Sequence, residues 1–448
     1  MKFYQNLFQN NIKYGQTLFP IYILLLFIST ILSLEQDNFP LINISPGLYA
    51  LQLSIGYPQH NFLLLVDTSS KYTWVRGTNC TFCAFTDNIY DEEASISVIH
   101  QDEISYTTMT DIKGSVSGNI LYDDIKIGDF YATKVELLVA SEDEYQESAD
   151  GVLSLKYPKE PNDVRNILNK LYLSGFIKKK TLYFNFKDEM ATILKIGSIP
   201  DYIINDKKNY STCHINDNNK NWNCLVTHIL LDDSYNFYQA NVIDATAIFS
   251  TGLEKIYAPS NNIDLFINNY FKLFPNYEEK SCTVKVISGI HQIYCLRNFL
   301  KIKGPSIHFI MNGYAYRISF DDLFEDVYTD SYNSYKLFKI EFYETEKNEW
   351  YFGTVFLKQY EIVFDADNKL MGFYGDNKYD FTKYTNEDYE VVCWYNTVSV
   401  ILLFLVIIIP MIYNVTHKII LIYIFINIFY VFSYKYIYIY IFYFIFNI

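Results

Sequence analysis

Between residues 49 and 374 the chain is a succession of short runs rich in β-branched and aromatic residues, each closed by a turn. That pattern leaves little room for anything but β-sheet. Residues 49–55, 62–66, 120–127, 181–186 and 361–364 are examples. Some alternate strictly and others are continuously apolar, the mixture expected of strands packed between sheets. The 43 tyrosines and 35 phenylalanines push the same way, because aromatic side chains suit a pleated surface better than a helix. Helical periodicity is confined to two places. Residues 164–173 carry Ile167, Leu168 and Leu171 on one face, and residues 263–273 turn Leu265, Phe266, Tyr270 and Phe271 inward. So long a β-rich stretch exceeds one ordinary sandwich, and two β-lobes are the natural division of an all-β body with few short helices.

Half of the 448 residues are apolar, enough for a sizeable core. The formal charge of −14 supplies no basic face for phosphates, which excludes nucleic acid as a partner. Two segments read as targeting or membrane elements. After Lys13, the apolar run 18–34 with small residues at Ser29, Thr30 and Ser33 reads as a secretory signal peptide. At about 17 residues it also sits at the lower edge of an uncleaved anchor. Residues 394–413 carry no charge and are long enough to cross a bilayer. Glu387, Asp388 and Glu390 precede them and His417 and Lys418 follow, which favours a lumenal body. The Ile-, Tyr- and Phe-rich stretch 414–448 reads either as a second span or as a low-complexity extension.

The expected organisation is a signal peptide (1–34), a short linker or residual propeptide (35–46), an N-terminal β-lobe (47–205), a polar loop at the lobe boundary (206–223) and a C-terminal β-lobe (224–376). A juxtamembrane stalk (377–393), a transmembrane helix (394–413) and the hydrophobic tail follow.

The cysteines suit an oxidising compartment. Cys80 and Cys83, Cys213 and Cys224, and Cys282 and Cys295 are close in sequence and suit three local disulfides, with Cys393 left over. Cys80-Thr-Phe-Cys83 also has the spacing of half a zinc site or a redox motif. Without a second such pair or a histidine pair, a disulfide is the better reading. Asn43-Ile-Ser45, Asn79-Cys-Thr81 and Asn209-Tyr-Ser211 are glycan acceptors in such a compartment, whereas Asn414-Val-Thr416 lies too near the membrane. The seven histidines fit no metal spacing, so neither metal nor cofactor is expected.

One ordered set of motifs carries the question of function. Tyr49 opens a run through Ile55-Gly56-Tyr57-Pro58-Gln59 to Asp67-Thr68-Ser69-Ser70 and Trp74-Val75. Gly114-Ser115-Val116-Ser117-Gly118 with Tyr122-Asp123, Asp150-Gly151-Val152-Leu153-Ser154-Leu155 and Leu194 to Gly197 follow. Ala247-Ile248-Phe249-Ser250-Thr251-Gly252 comes next. Trp350-Tyr351-Phe352-Gly353, Phe356-Leu357, Tyr360, Val363-Phe364-Asp365 and Gly372-Phe373 close the series. In order and spacing the set resembles the pepsin-like aspartic protease family. The resemblance implies a bilobal fold with a deep cleft, a peptide or protein in that cleft, a monomer, and one carboxylate per lobe holding the lytic water.

In that family the two like charges share a proton; one member takes a proton from water and the other polarises the scissile carbonyl. Here Asp67 matches the first aspartate, and Ser250 stands where the resemblance puts the second. From 247 to 259 the segment matches without a gap, and no acid lies within two residues of Ser250. A serine hydroxyl does not ionise at acidic pH, and losing one acid or base commonly costs ~100- to 10,000-fold in rate. Serine as a nucleophile has no general base set beside it by sequence.

Other departures agree. Ser69 replaces the glycine that follows Asp-Thr in the family, and Leu253 and Glu254 replace its Thr and Ser after Gly252. Thr354 replaces an Asp in the closing element. The flap tyrosine is displaced: counting back from Gly114-Ser115 puts Asp111 at its place, with Tyr106 as the substitute if the hairpin is longer. Three readings follow: a membrane-tethered, peptide-binding pseudoprotease, a working aspartic endopeptidase, or a structural surface protein.

Overall fold

The computed structural model describes residues 37–380 apart from 82, 84–87, 111, 113, 145–148, 159, 161–162, 164, 188–190, 217–220, 233–236, 275, 302–303 and 328–334. The expected signal peptide, transmembrane helix and hydrophobic tail, Cys393 and Asp111 lie outside the described residues. Among the described residues no helix is long and apolar enough to cross a membrane.

Three sheets organise these residues. The first runs Ile42–Ser45, Leu48–Ile55, His60–Asp67, Gly151–Ser154, Thr73–Arg76, Phe130–Asp143, Gly114–Ile127, Ile99–Thr110 in spatial order. It is the N-terminal lobe. The second belongs to the C-terminal lobe, with Asn223–Asp232, Phe237–Phe249, Glu349–Phe352, Ile256–Pro259 and Ile340–Tyr343 at its centre. The third, which a two-lobe reading does not anticipate, joins strands from both halves: Asn38–Pro40, Ile193–Ile196, Thr181–Asn185, Glu361–Asp365, Leu370–Tyr374 and Tyr210–His214. Its pairing of Thr181–Asn185 with Glu361–Asp365 ties partners far apart in the chain, and no local pattern signals such a pairing.

Strand pairings in the three sheets account for three differences from the sequence reading. Within the stretch 35–46, expected as a short linker or residual propeptide, Asn38–Pro40 pairs with Ile193–Ile196 and Ile42–Ser45 with Leu48–Ile55. Within the supposed polar loop 206–223, Tyr210–His214 is a strand whose Ser211 and Cys213 are buried against Leu370–Tyr374. Lysines and asparagines around it hide a short alternation. The expected stalk begins as a strand, Lys378–Asp380, on the edge of Tyr314–Ile318. Both helical expectations fall on helical turns. Ile167–Leu173 buries Ile167, Leu168 and Leu171 and is capped by Asn166. The second segment is broken into Ile263–Leu265, Phe266–Tyr270 and Phe271–Leu273.

The C-terminal core is aromatic. Phe249 touches Phe352, Phe356 and Phe373, and Phe309 stacks edge-on to Phe352 at 4.7 Å. Such offset and edge contacts contribute beyond area alone. Disulfides join Cys80 to Cys83, Cys213 to Cys224 and Cys282 to Cys295, the local pairing expected. In the N-terminal lobe a fully buried pair, Arg76 and Asp143 at 2.7 Å, is completed by Arg76 donating to the Ala149 carbonyl.

Candidate active site

The same three-strand unit occurs once in each lobe. In the first, His60–Asp67 lies parallel to Gly151–Ser154, which lies antiparallel to Thr73–Arg76. In the second, Phe237–Phe249 lies parallel to Glu349–Phe352, which lies antiparallel to Ile256–Pro259. The chain leaves the first strand of each unit into a tight loop, Asp67-Thr68-Ser69 in one lobe and Ser250-Thr251-Gly252 in the other. Parallel pairing seats both loops at the ends of buried strands, with Asp67 opposite Ser154 and Phe249 opposite Phe352.

The two loops interlock across the lobes by a reciprocal set of hydrogen bonds. The Thr68 amide donates to Thr251 Oγ1 at 3.2 Å, and the Thr251 amide donates to Thr68 Oγ1 at 3.1 Å. Each hydroxyl in turn donates a hydrogen bond to the opposite strand, Thr68 to the Phe249 carbonyl and Thr251 to the Val66 carbonyl, both at 2.7 Å. Every partner is in the buried interior, where such bonds are not diluted by water.

Asp67 and Ser250, each preceding its threonine, therefore face one another. The Ser250 hydroxyl donates to Asp67 Oδ1 at 3.0 Å. The Ser69 amide and the Ser69 hydroxyl donate to the same oxygen, both at 2.7 Å. Ser69 Oγ also lies 2.9 Å from Ser250 Oγ. Asp67 is 1 % exposed and Ser250 fully buried. On the other side of the carboxylate stands Gly252, where an added Cβ would lie 2.5 Å from Asp67 Cγ, so only glycine fits.

Two hydroxyls and an amide thus converge on a single carboxylate. The cluster holds a single carboxyl group, with no second carboxyl to polarise a carbonyl. Of the two groups bonded to the Ser250 hydroxyl, Ser69 Oγ and Asp67 Oδ1, only Asp67 is a base, and a carboxylate is too weak a base to make an alkoxide of it.

The hairpin of Ile99–Thr110 and Gly114–Ile127 arches beside these loops. Thr110 pairs with Gly114, Thr108 with Ser115 and Tyr106 with Ser117, so Tyr106 stands well back from the turn. Gly114 has a φ of +97°, which glycine supplies without strain. Both the amide and the hydroxyl of Ser115 donate to Glu144, holding its carboxyl below the usual range. At the turn, Ile112 packs on Ile248, Leu253, Tyr343 and Tyr351 of the other lobe. The hairpin tip therefore rests on residues that bracket Ser250. Ser70 and Ser154 buttress the Asp67 loop: Ser154 Oγ donates to the Ser70 carbonyl at 2.5 Å, and Ser70 Oγ to the Tyr72 carbonyl at 2.9 Å.

Sequence reasoning missed three contributors. Ile112 gives no signal before the hairpin is seen. Trp222 is fully buried and donates from Nε1 to the Leu155 carbonyl at 2.8 Å, tying the second lobe to the strand behind Asp67. Lys156 lines a cavity of about 290 Å³ with Lys71 and Arg165 beside the Asp67 loop. Burial pushes its ammonium pKa down, and Lys71 and Arg165 add to that, against the pull of Asp67. Among the described residues no group of three or more His, Cys, Asp or Glu is placed to hold a metal.

Comparison with known proteins agrees with this geometry. The family model described as eukaryotic aspartyl protease matches residues 48–374. The chain is 23% identical over 330 residues to Pepsin-3 of Oryctolagus cuniculus, covering 71% of this chain and 79% of the relative. It is 23% identical over 347 residues to Pepsin A of Sus scrofa, covering 74% and 82%. With Pregnancy-associated glycoprotein 4 of Ovis aries it shares 25% over 346 residues, covering 74% and 83%. Two interlocked loops at the ends of matching strand units, an arching hairpin and a match over most of the chain lead to one conclusion: this protein belongs to the eukaryotic aspartyl protease family.

Proposed function

We propose that this family member is a pseudoprotease, a protein that keeps the interlobe cleft for binding a peptide or protein segment and has lost the second catalytic carboxylate. The observation that carries the reading is the Ser250 hydroxyl, fully buried and 3.0 Å from Asp67 Oδ1. In the family mechanism a second carboxylate would have to stand there to share a proton with Asp67. The reciprocal threonine bonds support this assignment, because they set Ser250 and Asp67 at equivalent points of two matching loops. The retained hairpin, with Ile112 reaching the other lobe, supports a cleft still able to enclose an extended peptide.

The setting we propose is the lumenal or extracellular side of the secretory pathway, with the body tethered by residues 394–413 and acting as a monomer. Three disulfides support an oxidising compartment. Asn43 and Asn79 are exposed and suit glycans there. Asn209 is less open, since its side-chain amide is engaged by Asp206 at 3.0 Å.

Titration calorimetry of the full chain with a statine-containing peptide tests the reading. Binding without turnover of the matching cleavable peptide is expected. Absence of binding by the folded protein would leave only a structural use of the fold. Turnover would return the chain to the working endopeptidases.

A further inference from the structure

The two loops are matched in fold but not in bulk, and the mismatch is complementary. In one loop a carboxylate, Asp67, faces a glycine, Gly252. In the other a short hydroxyl, Ser250, faces a side chain where the matching loop has none, Ser69. The structure measures on one side what the reciprocal arrangement would meet on the other. A Cβ at Gly252 would stand 2.5 Å from Asp67 Cγ, 2.6 Å from Oδ2 and 2.8 Å from Cβ, closer than real Cβ contacts allow. Ser69 already carries its Cβ, and its Oγ lies 2.9 Å from Ser250 Oγ.

We infer that Ser69 and Ser250 form a two-part lock on the site: Ser69 occupies the space that a carboxylate at position 250 would need. Restoring the acid alone does not restore the chemistry. The inference rests on the proposed reading of Ser250 and adds a second determinant to it. The Ser69 hydroxyl also bridges Asp67 Oδ1 and Ser250 Oγ, at 2.7 and 2.9 Å. A water shared between the lobes would have to bridge there in a working dyad, so the side chain excludes the reactant as well as the second acid. Neither obstacle is local in sequence. Residues 69 and 250 meet only because the threonine bonds draw the loops together.

The physical consequence is non-additivity. Ser250→Asp buries a carboxylate against the Ser69 side chain and next to Asp67, so it strains the loop as well as adding charge. Ser69→Gly removes the obstruction and gives position 69 the same residue type as its counterpart Gly252. Together the two substitutions recreate in the second loop the arrangement already present around Asp67, an Asp facing a Gly.

The test uses the full-length chain as parent, Ser250→Asp, Ser69→Gly and the double variant. Cleavage of a quenched peptide library is read between about pH 3 and 6, where a shared-proton pair works. The denaturant midpoint of unfolding is read on the same four proteins. The expected result is cleavage by the double variant at least ~100-fold above Ser250→Asp, the lower range for gaining one catalytic acid, and its abolition by Asp67→Ala. Ser250→Asp should unfold at a lower midpoint than the parent, with part of that loss recovered in the double variant. Equal cleavage by Ser250→Asp and the double variant, or strictly additive midpoints, would overturn the lock. Cleavage by the parent itself would instead overturn the pseudoprotease reading, so the two failures are told apart.

Discussion

Thr251→Val is the sharpest probe of how the two loops are held. Valine keeps the shape of threonine and removes its hydroxyl. Two hydrogen bonds go with it: the one to the Val66 carbonyl at 2.7 Å and the one accepted from the Thr68 amide at 3.2 Å. Thr251 is 2 % exposed and Thr68 fully buried, so water cannot replace either partner. Each lost bond is worth ~1 kcal/mol net, and a buried group left unpaired costs ~1–3 kcal/mol. The expected destabilisation is therefore ~2–4 kcal/mol, a large share of the ~5–15 kcal/mol typical of whole-domain stability. Thr68→Val should cost a similar amount. The double variant should cost less than the sum, with a coupling of ~1 kcal/mol or more, because the two side chains share one interlock. Urea unfolding of the full-length chain, with the slope checked for constancy, gives all three numbers. A loss below ~0.5 kcal/mol for Thr251→Val, the level of an ordinary surface change, would refute the interlock and with it the placement of Ser250 opposite Asp67.

Three further outcomes follow from other parts of the molecule. Asp143→Ala leaves the Arg76 guanidinium buried without its carboxylate, and should cost ~3–5 kcal/mol in urea unfolding, while Arg76→Met with Asp143→Leu should recover most of that. Replacing Cys282 and Cys295 by serine opens a short loop whose closure contributes ~3 kcal/mol by chain entropy, and should lower the unfolding midpoint without changing binding at the cleft. Glu341 is 3 % exposed; burial raises its carboxyl pKa, against the pull of Lys255 at 2.9 Å. The folded state then binds a proton more tightly than the unfolded one. Its contribution is present below the ordinary carboxyl value and lost as pH rises through the raised one. Glu341→Gln should flatten that limb of the stability-against-pH curve.

Much of this arrangement is legible in the residues, and what is not has a physical reason. Strands such as His60–Asp67 and Glu361–Asp365 announce themselves because their inner runs, 62–66 and 362–364, are continuously apolar and largely buried on both faces. The short helix Ile167–Leu173 is legible from three apolar residues at helical spacing. The Asp67 and Ser250 loops are recognisable because tight loops at strand ends tolerate few residue types. The shared third sheet is not legible, since pairing between Thr181–Asn185 and Glu361–Asp365 depends on where both lobes place their ends. Tyr210–His214 is hidden by polar neighbours, and a strand that short offers too few residues for its alternation to stand out. The complementary exchange of bulk between Ser69 and Ser250 is visible only in three dimensions. In sequence Ser69 is one more departure from a motif; in the structure it is the neighbour of the residue that matters most.

The central claim is that a carboxylate facing a serine does not hydrolyse peptides. Its most direct test is cleavage of a quenched peptide library by the unmodified full-length protein between about pH 3 and 6, beside Asp67→Ala. The account predicts no turnover above the Asp67→Ala background at any pH in that range. Turnover by the unmodified protein that disappears in Asp67→Ala would contradict it, and would mean that another group completes the pair that Asp67 begins.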